Sequence, residues 1–433
     1  MIAALFGVEA AALLALCWWP GGSSTPLPAL ALWTAAFVAY ALAAARGERV
    51  SLRTIWIGGA ALRLGLVPAV PMLSEDVYRY MWDGWVQRNG INPYAFAPHA
   101  IDLEALRTDW WALVNHPEVP TIYPPGAQLV FLVLAAIGPA WIVFKLAWIA
   151  LDLGAAWLLV RLVRAPERRA PVLLLYLWSP LLVVEVAWSA HLEPLGLVAM
   201  LAAILFAERG RGAAAGAALG LGAAVKLAPL AAVPAAWRRH GWLAAGLAVA
   251  LPALLYLPYA SAGPRLFEGL RTYADIWEFN PGLYAVLERL PGPAELPRRL
   301  GAVAVIAVAG WAAVRSWPVG RALYWTIGTA LLVSPTIHPW YVLWVLPLAC
   351  LHGGRGWILL TGTVFLAYAG RDAYLATGSW PEPAWLSLLI HAPPLALLAW
   401  DGVRGRDPER FERGGEIGDR EQGGERGGAG DPA

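Results

Sequence analysis

Charge is the scarcest commodity in this chain. Asp, Glu, Lys and Arg together make up 14% of its 433 residues, where soluble proteins hold about a quarter. With 59% hydrophobic residues and a mean hydropathy of +0.55, a soluble globular enzyme is excluded, and the composition reads as a polytopic helical membrane protein. Basic and acidic residues nearly balance at 32 and 30, so there is no electrostatic footprint for nucleic acid, and none is expected as a partner. Cysteine is almost absent. Cys17 and Cys350 lie in apolar runs without metal-ligand spacing and read as inert packing residues. Phosphate loops of the Gly-x-x-x-x-Gly-Lys type, dinucleotide fingerprints, Asp-x-Asp pairs and His-Glu-x-x-His helices are all missing, so no cofactor is expected and no metal is demanded, although an outer-face divalent ion bridging phosphate and carboxylate stays open. No internal repeat stands out. The first apolar stretch has neither a basic n-region nor a small-residue cleavage site, and is expected to be a retained span.

What the chain does have is long apolar runs, each near the 20 residues that cross a bilayer as helix. They fall near 2–19, 27–45, 54–72, 139–163, 170–188, 190–207, 241–259, 299–314, 321–335, 338–352, 356–374 and 384–400, twelve expected spans in one all-helical domain over residues 1–400. Arg46, Arg49 and Arg53 place the second connection inside by the positive-inside rule, and residues 73–122 therefore outside. The later basic clusters, Arg161 to Arg169, Arg209 and Arg211, Arg238 and Arg239, Arg315 and Arg321, can all lie inside only if 123–137 does not cross completely and 212–236 enters and leaves on one side. Each has a reason to be irregular: Tyr123-Pro124-Pro125-Gly126 opens the first and Lys226-Leu227-Ala228-Pro229 breaks the second. Residues 260–298 become a second outer loop. From 401 a Gly, Glu, Arg and Asp mixture reads as a disordered cytoplasmic tail.

Directly after the third apolar run comes Ser74-Glu75-Asp76-Val77-Tyr78-Arg79-Tyr80-Met81-Trp82-Asp83-Gly84. Ser74 is a suitable N-cap, and Asp76, Arg79, Asp83 and Gln87 then share one helix face, predicting an interfacial amphipathic helix whose acidic face meets water or a substrate cleft. Asn89-Gly90 supplies the stop and Asn92-Pro93 a turn. Polar groups at a bilayer edge are costly and so are functional candidates. Four clusters meet on the outer side of this topology: Glu75, Asp76, Arg79 and Asp83; Tyr123-Pro124-Pro125; His191-Leu192-Glu193 with Lys226; and Ser334-Pro335-Thr336-Ile337-His338-Pro339-Trp340-Tyr341. Duller roles stand beside each: Lys226 as a snorkelling side chain, Glu193 as a turn cap, His338 satisfying a helix break, the tryptophans as an interfacial belt.

These motifs, with Gly90-Ile91-Asn92-Pro93-Tyr94 and Val225-Lys226-Leu227-Ala228-Pro229, resemble in content and order the bacterial polyprenyl-phosphate-sugar-dependent glycosyltransferases of the GT-C superfamily, most of all their mannosyltransferase branch. The resemblance implies an enzyme of the cytoplasmic membrane. It would move a sugar, usually mannose, from a polyprenyl-phosphate donor to a lipid or glycan acceptor on the extracytoplasmic face. Asp76 falls on the family's essential acid and is implied to be the general base, acting with inversion. The family's histidine beside the late outer turn falls on His338, and substrate binding is expected of it and of the clustered Glu75, Arg79, Asp83, Tyr123, Glu193, Lys226 and Tyr341. Arg79, Lys226 and His338 would neutralise the departing phosphate, and Asp83 would orient Arg79 or bind sugar hydroxyls. His191-Leu192-Glu193 departs from the polar turn usual in that family. A transporter or flippase of lipid-linked sugars is the alternative, since broken helices and buried charges also mark transporters.

Overall fold

The computed structural model describes residues 1–18 and 27–404. Among these residues every regular element is helical, and the one pairing of strand type is an isolated bridge between Phe279 and Thr336. Four helices are long and apolar enough to cross a membrane: Leu27–Ala44, Trp141–Leu162, Leu296–Val314 and Ala384–Val403. Two bent pairs raise the number to six, Pro166–Leu177 with Pro180–Trp188 at 51° and Trp242–Leu255 with Leu257–Ile276 at 84°. The first bend falls at Ser179-Pro180, where proline starts a new helix because it cannot continue the old one. The other apolar runs form shorter helices, among them Ile2–Cys17, Pro125–Ile137, Gly212–Ala223 and Pro339–His352. Pro125–Ile137 has 13 residues and is about 20 Å long at 1.5 Å per residue, short of a bilayer core of about 30 Å. Exposed apolar side chains such as Val303, Ile306 and Val314 give the long helices a face suited to lipid.

The expected second outer loop is not a loop throughout: its first part is wound as 3-10 turns within Leu257–Phe267, broken at Gly263 with φ of 54°, and as the helix Glu268–Ile276. Nor does the chain lose structure at 401. The last helix continues to Val403, and Asp401 accepts hydrogen bonds from Arg355 Nε at 3.1 and 3.2 Å. The remainder of the expected tail, from 405, lies outside the described residues.

Buried charges tie the bundle together. Arg63 Nε donates to Asp152 Oδ2 at 2.5 Å with both side chains fully buried, and Tyr176 donates to the other carboxylate oxygen at 2.8 Å. The helices Leu52–Leu66, Trp141–Leu162 and Pro166–Leu177 are thereby pinned to one another. Lys145 donates to the carbonyls of Leu66, Val67 and Ala69, closing the open end of Leu52–Leu66, and Trp188 Nε1 donates to Val70 at 2.7 Å. The strand of chain leading to Asp76 is therefore held at both its start and its middle.

Residues of the basic clusters are tied to other connections between helices. Arg164 lies 3.7 Å from Glu208, Arg168 donates to the Leu351 carbonyl at 3.1 Å, and Arg239 donates to the Ser316 carbonyl at 2.8 Å.

Candidate active site

A cavity of about 770 Å³ is walled by Glu75, Asp76, Arg79, Tyr123, Lys226, His338 and Tyr341, residues from four stretches far apart in sequence. Two close approaches of backbone bring three of these stretches together. The helix Asp76–Arg88 crosses Pro125–Ile137 at Gly84, where an added Cβ would sit 2.3 Å from the Phe131 carbonyl oxygen. Gly126 N donates to the Ala224 carbonyl at 2.8 Å, which sets the Tyr123-Pro124-Pro125 turn against the break that carries Lys226. That break separates Gly212–Ala223 from the 3-10 turn Ala228–Ala232 and the helix Val233–His240. Tyr94 donates to the Tyr123 carbonyl at 2.7 Å, and Asn92 Nδ2 to the Tyr259 carbonyl at 2.8 Å, so the Asn92-Pro93-Tyr94 motif anchors the outer segment. His338 is placed by the Phe279 bridge, in which Phe279 N donates to Pro335 at 3.0 Å and Ile337 N to Phe279 at 2.8 Å.

Asp76 is the first residue of its helix, with its side chain 15% exposed. The N-cap is Glu75, not the expected Ser74, which sits one residue earlier and whose hydroxyl accepts from Asp76 N at 3.2 Å. Asn115 Nδ2 donates to Asp76 Oδ1 at 2.7 Å, while Oδ2 faces His191 Nδ1 at 3.8 Å. Burial raises the Asp76 carboxyl above its ordinary range, against the opposing pull of the Asn115 hydrogen bond and the positive charge of Lys226. Burial raises Glu75 as well, with Arg371 opposing it.

The expected acidic face does not meet water. Arg79 and Asp83 are 5% and 2% exposed because the segment 115–128 covers them and satisfies them. Arg79 donates to Asp83 at 3.1 Å, to the Val119 carbonyl at 2.8 Å and to the His116 carbonyl at 3.3 Å. Thr121 and Gln128 donate to Asp83 Oδ2 at 2.5 and 2.8 Å. Asp83 stands behind the cavity wall, and Arg79 touches the cavity with its donors already committed.

Lys226 is ion-paired with Glu193, which is buried and off the cavity wall, and its ammonium lies 4.3 Å over the Tyr341 ring. Tyr341 shares a hydrogen bond of 2.6 Å with Tyr273. His338 stacks between Phe279 and Trp340, at 4.6 and 4.4 Å between ring centres. Burial, with Lys226 and His116 nearby, lowers His338 to about 3, so it is a neutral ring near pH 7 and contributes a dipole, not a charge.

Reading the sequence alone missed Asn115, Tyr273 and Arg298. Arg298 also lines the cavity, paired to Glu278 at 3.0 Å. Only the wealth of polar and aromatic residues in the two outer segments hinted at them. Among the described residues, no three His, Cys, Asp or Glu side chains are grouped to hold a metal ion.

Residues 4–245 match the family described as alpha-(1->6)-mannopyranosyltransferase, N-terminal domain. The chain belongs to this family. It is thus a glycosyltransferase of the mannosyltransferase kind, in agreement with the motif resemblance. No curated protein and no solved structure matches it. Within the mannosyltransferase match lie Asp76, Tyr123, His191, Glu193 and Lys226; His338 and Tyr341 come from beyond it and line the same cavity as Asp76, Tyr123 and Lys226.

Proposed function

We propose that this mannosyltransferase takes mannose from a polyprenyl-phosphate donor and transfers it to a hydroxyl of a lipid or glycan acceptor at the extracytoplasmic face, with Asp76 as general base and inversion at the anomeric carbon. The carrying observation is that Asp76 and Lys226 open onto one cavity whose lining also includes the apolar Val305, Ile327 and Leu331. A carboxylate, a cation and an apolar channel are the three things a lipid-phosphate sugar needs. Twelve crossings remain part of this proposal, the shorter apolar helices pairing across breaks to complete them.

One carboxylate suffices here. Glycosidases require a second acid to protonate a poor leaving oxygen, whereas a phosphate leaves without one. Asp76 removes the acceptor proton as the hydroxyl attacks the face opposite the phosphate. Lys226 and Arg298 balance charge that grows on the departing phosphate. His338, Tyr341 and Tyr123 shape the sugar-side wall; Glu193 holds Lys226, and Asp83 holds Arg79. If the product linkage is the one in the family's description, inversion requires a β-linked mannosyl phosphate.

The test is purified protein supplied with a panel of polyprenyl-phosphate sugars and an oligomannoside acceptor, with products read by mass. Mannose transfer from the lipid donor is expected. Transfer from soluble nucleotide sugars alone, or lipid-linked sugar crossing proteoliposomes with no new glycosidic bond, would overturn the proposal. Repeating the assay after chelator treatment reads whether a divalent ion bridges phosphate and carboxylate.

A further inference from the structure

Behind Asp76 lies a buried group of side chains that transfer at the cavity surface does not use. His191 is fully buried, and neither ring nitrogen has a hydrogen-bond partner. Nδ1 faces Asp76 Oδ2 at 3.8 Å and Nε2 faces Glu185 Oε2 at 3.4 Å. Glu185 is fully buried too; Tyr368 donates to its Oε1 at 2.9 Å, and Oε2 is unpartnered. Buried polar atoms without partners are rare enough that each calls for a reason, and here they face one another in a row.

The backbone is distorted to make that row. Val184–Trp188 is a π-turn, a form that recurs at functional sites. Ala190 follows with φ of 61°, in the left-handed region that a residue with a Cβ seldom adopts, and His191 N then donates back to the Glu185 carbonyl at 2.9 Å. The imidazole is fixed by stacking on Trp340 with ring centres 3.9 Å apart.

We infer that His191 and Glu185 form a relay that positions Asp76 and carries its proton into the protein, so that the acceptor proton is parked on Glu185 while the phosphate departs. The inference rests on Asp76 being the base. The acceptor O–H bond breaks and its oxygen bonds to the anomeric carbon, while the carbon–oxygen bond to phosphate breaks and its electron pair leaves with the phosphate. The proton passes to Asp76 and on to His191 Nδ1, and the Nε2 proton moves to Glu185. When the glycoside leaves, the proton returns by the same row to the released phosphate monoester, whose second proton binds near pH 6. Gaps of 3.4 to 3.8 Å are closed by a small movement of the carboxylates, as catalytic hydrogen bonds shorten once substrate is bound.

The experiment uses the full-length protein in nanodiscs with polyprenyl-phosphate mannose and an oligomannoside acceptor. His191→Phe keeps the ring stacked on Trp340 and removes both nitrogens; Glu185→Gln keeps shape. The groups that bear on His191 are Asp76, Glu185, Lys226 and His338, with Glu193 acting on Glu185. Each variant should lower kcat by about tenfold to a hundredfold, the scale on which supporting partners act. Donor KM should hardly change, and the acid limb of the kcat profile should move. The double variant should lose no more than His191→Phe alone, since both act through one row. Wild-type kcat and acid limb in both variants, or losses that multiply in the double variant, would overturn the relay. If His191→Phe fails to fold, Glu185→Gln alone decides by the same limb. Asp76→Asn is run in parallel: retained transfer there removes the base itself, whereas abolished transfer with unmoved His191 and Glu185 variants removes only the relay.

Discussion

At the scale of single residues, the account turns on why Asp76 can take a proton. A carboxylate at the first turn of a helix is favoured in its charged form by the helix dipole, and Asn115 adds a hydrogen bond. Burial outweighs both, and the carboxyl is raised. A raised base is a better proton acceptor, at the cost of being protonated sooner as pH falls. The sign follows: the acid limb of the transfer rate should lie above the ordinary aspartate value of about 4, and replacing Asn115 by Ala should move it higher, because a group that favours the charged form has been removed. A pH–rate profile of N115A against wild type checks this, with a limb that moves down as the contrary result. The same shift makes protonation stabilising. Its contribution is full below about 4 and is lost as pH rises through the folded value. Arg79 and Asp83 serve the packing of the outer segment. Their hydrogen bonds are spent on the carbonyls of His116 and Val119 and on Thr121 and Gln128, so they hold the outer segment and leave the cavity to Lys226 and Arg298.

At the scale of elements, the site is a matter of how closely helices approach. Gly84 lets Asp76–Arg88 lie against the Phe131 carbonyl, and G84A should cost about 1–3 kcal/mol, as overpacking does, with a lower thermal midpoint in detergent. An unchanged midpoint would show that the crossing is loose. How much of this could be read beforehand depends on the element. Helix periodicity put Asp76, Arg79, Asp83 and Gln87 on one face, and the structure keeps them there; what it could not tell was that residues 115–128 would cover the face. The break at Lys226 was legible from Lys226-Leu227-Ala228-Pro229, and the shortness of the helix at 125–137 from Tyr123-Pro124-Pro125. By contrast, Asn115, Tyr273 and Arg298 lie in segments without period, where position follows from packing alone. His191 was visible as a polar turn between apolar runs, but its π-turn and its alignment with Glu185 depend on an irregular backbone that no periodic pattern announces.

At the scale of the whole molecule, the cavity draws its walls from distant stretches, and none of the clustered basic residues Arg164, Arg168 or Arg239 is among its lining. Arg164 near Glu208, Arg168 on Leu351 and Arg239 on Ser316 tie the basic loops to other connections, while Asp76, Lys226 and His338 gather around the cavity. If the basic loops face the cytoplasm, as the positive-inside rule has it, a cysteine at Glu104 should label with an impermeant reagent from outside and one at Arg164 only after permeabilisation. Cys17 and Cys350 are buried and should give little background. Labelling of both from one side would break the topology. The central claim is narrower and can be tested directly by single-turnover transfer of labelled mannose from polyprenyl-phosphate mannose by D76N, with donor binding measured alongside. The account predicts that donor binding survives while transfer falls at least about a hundredfold, the least that a general base contributes. Transfer near the wild-type rate would contradict it.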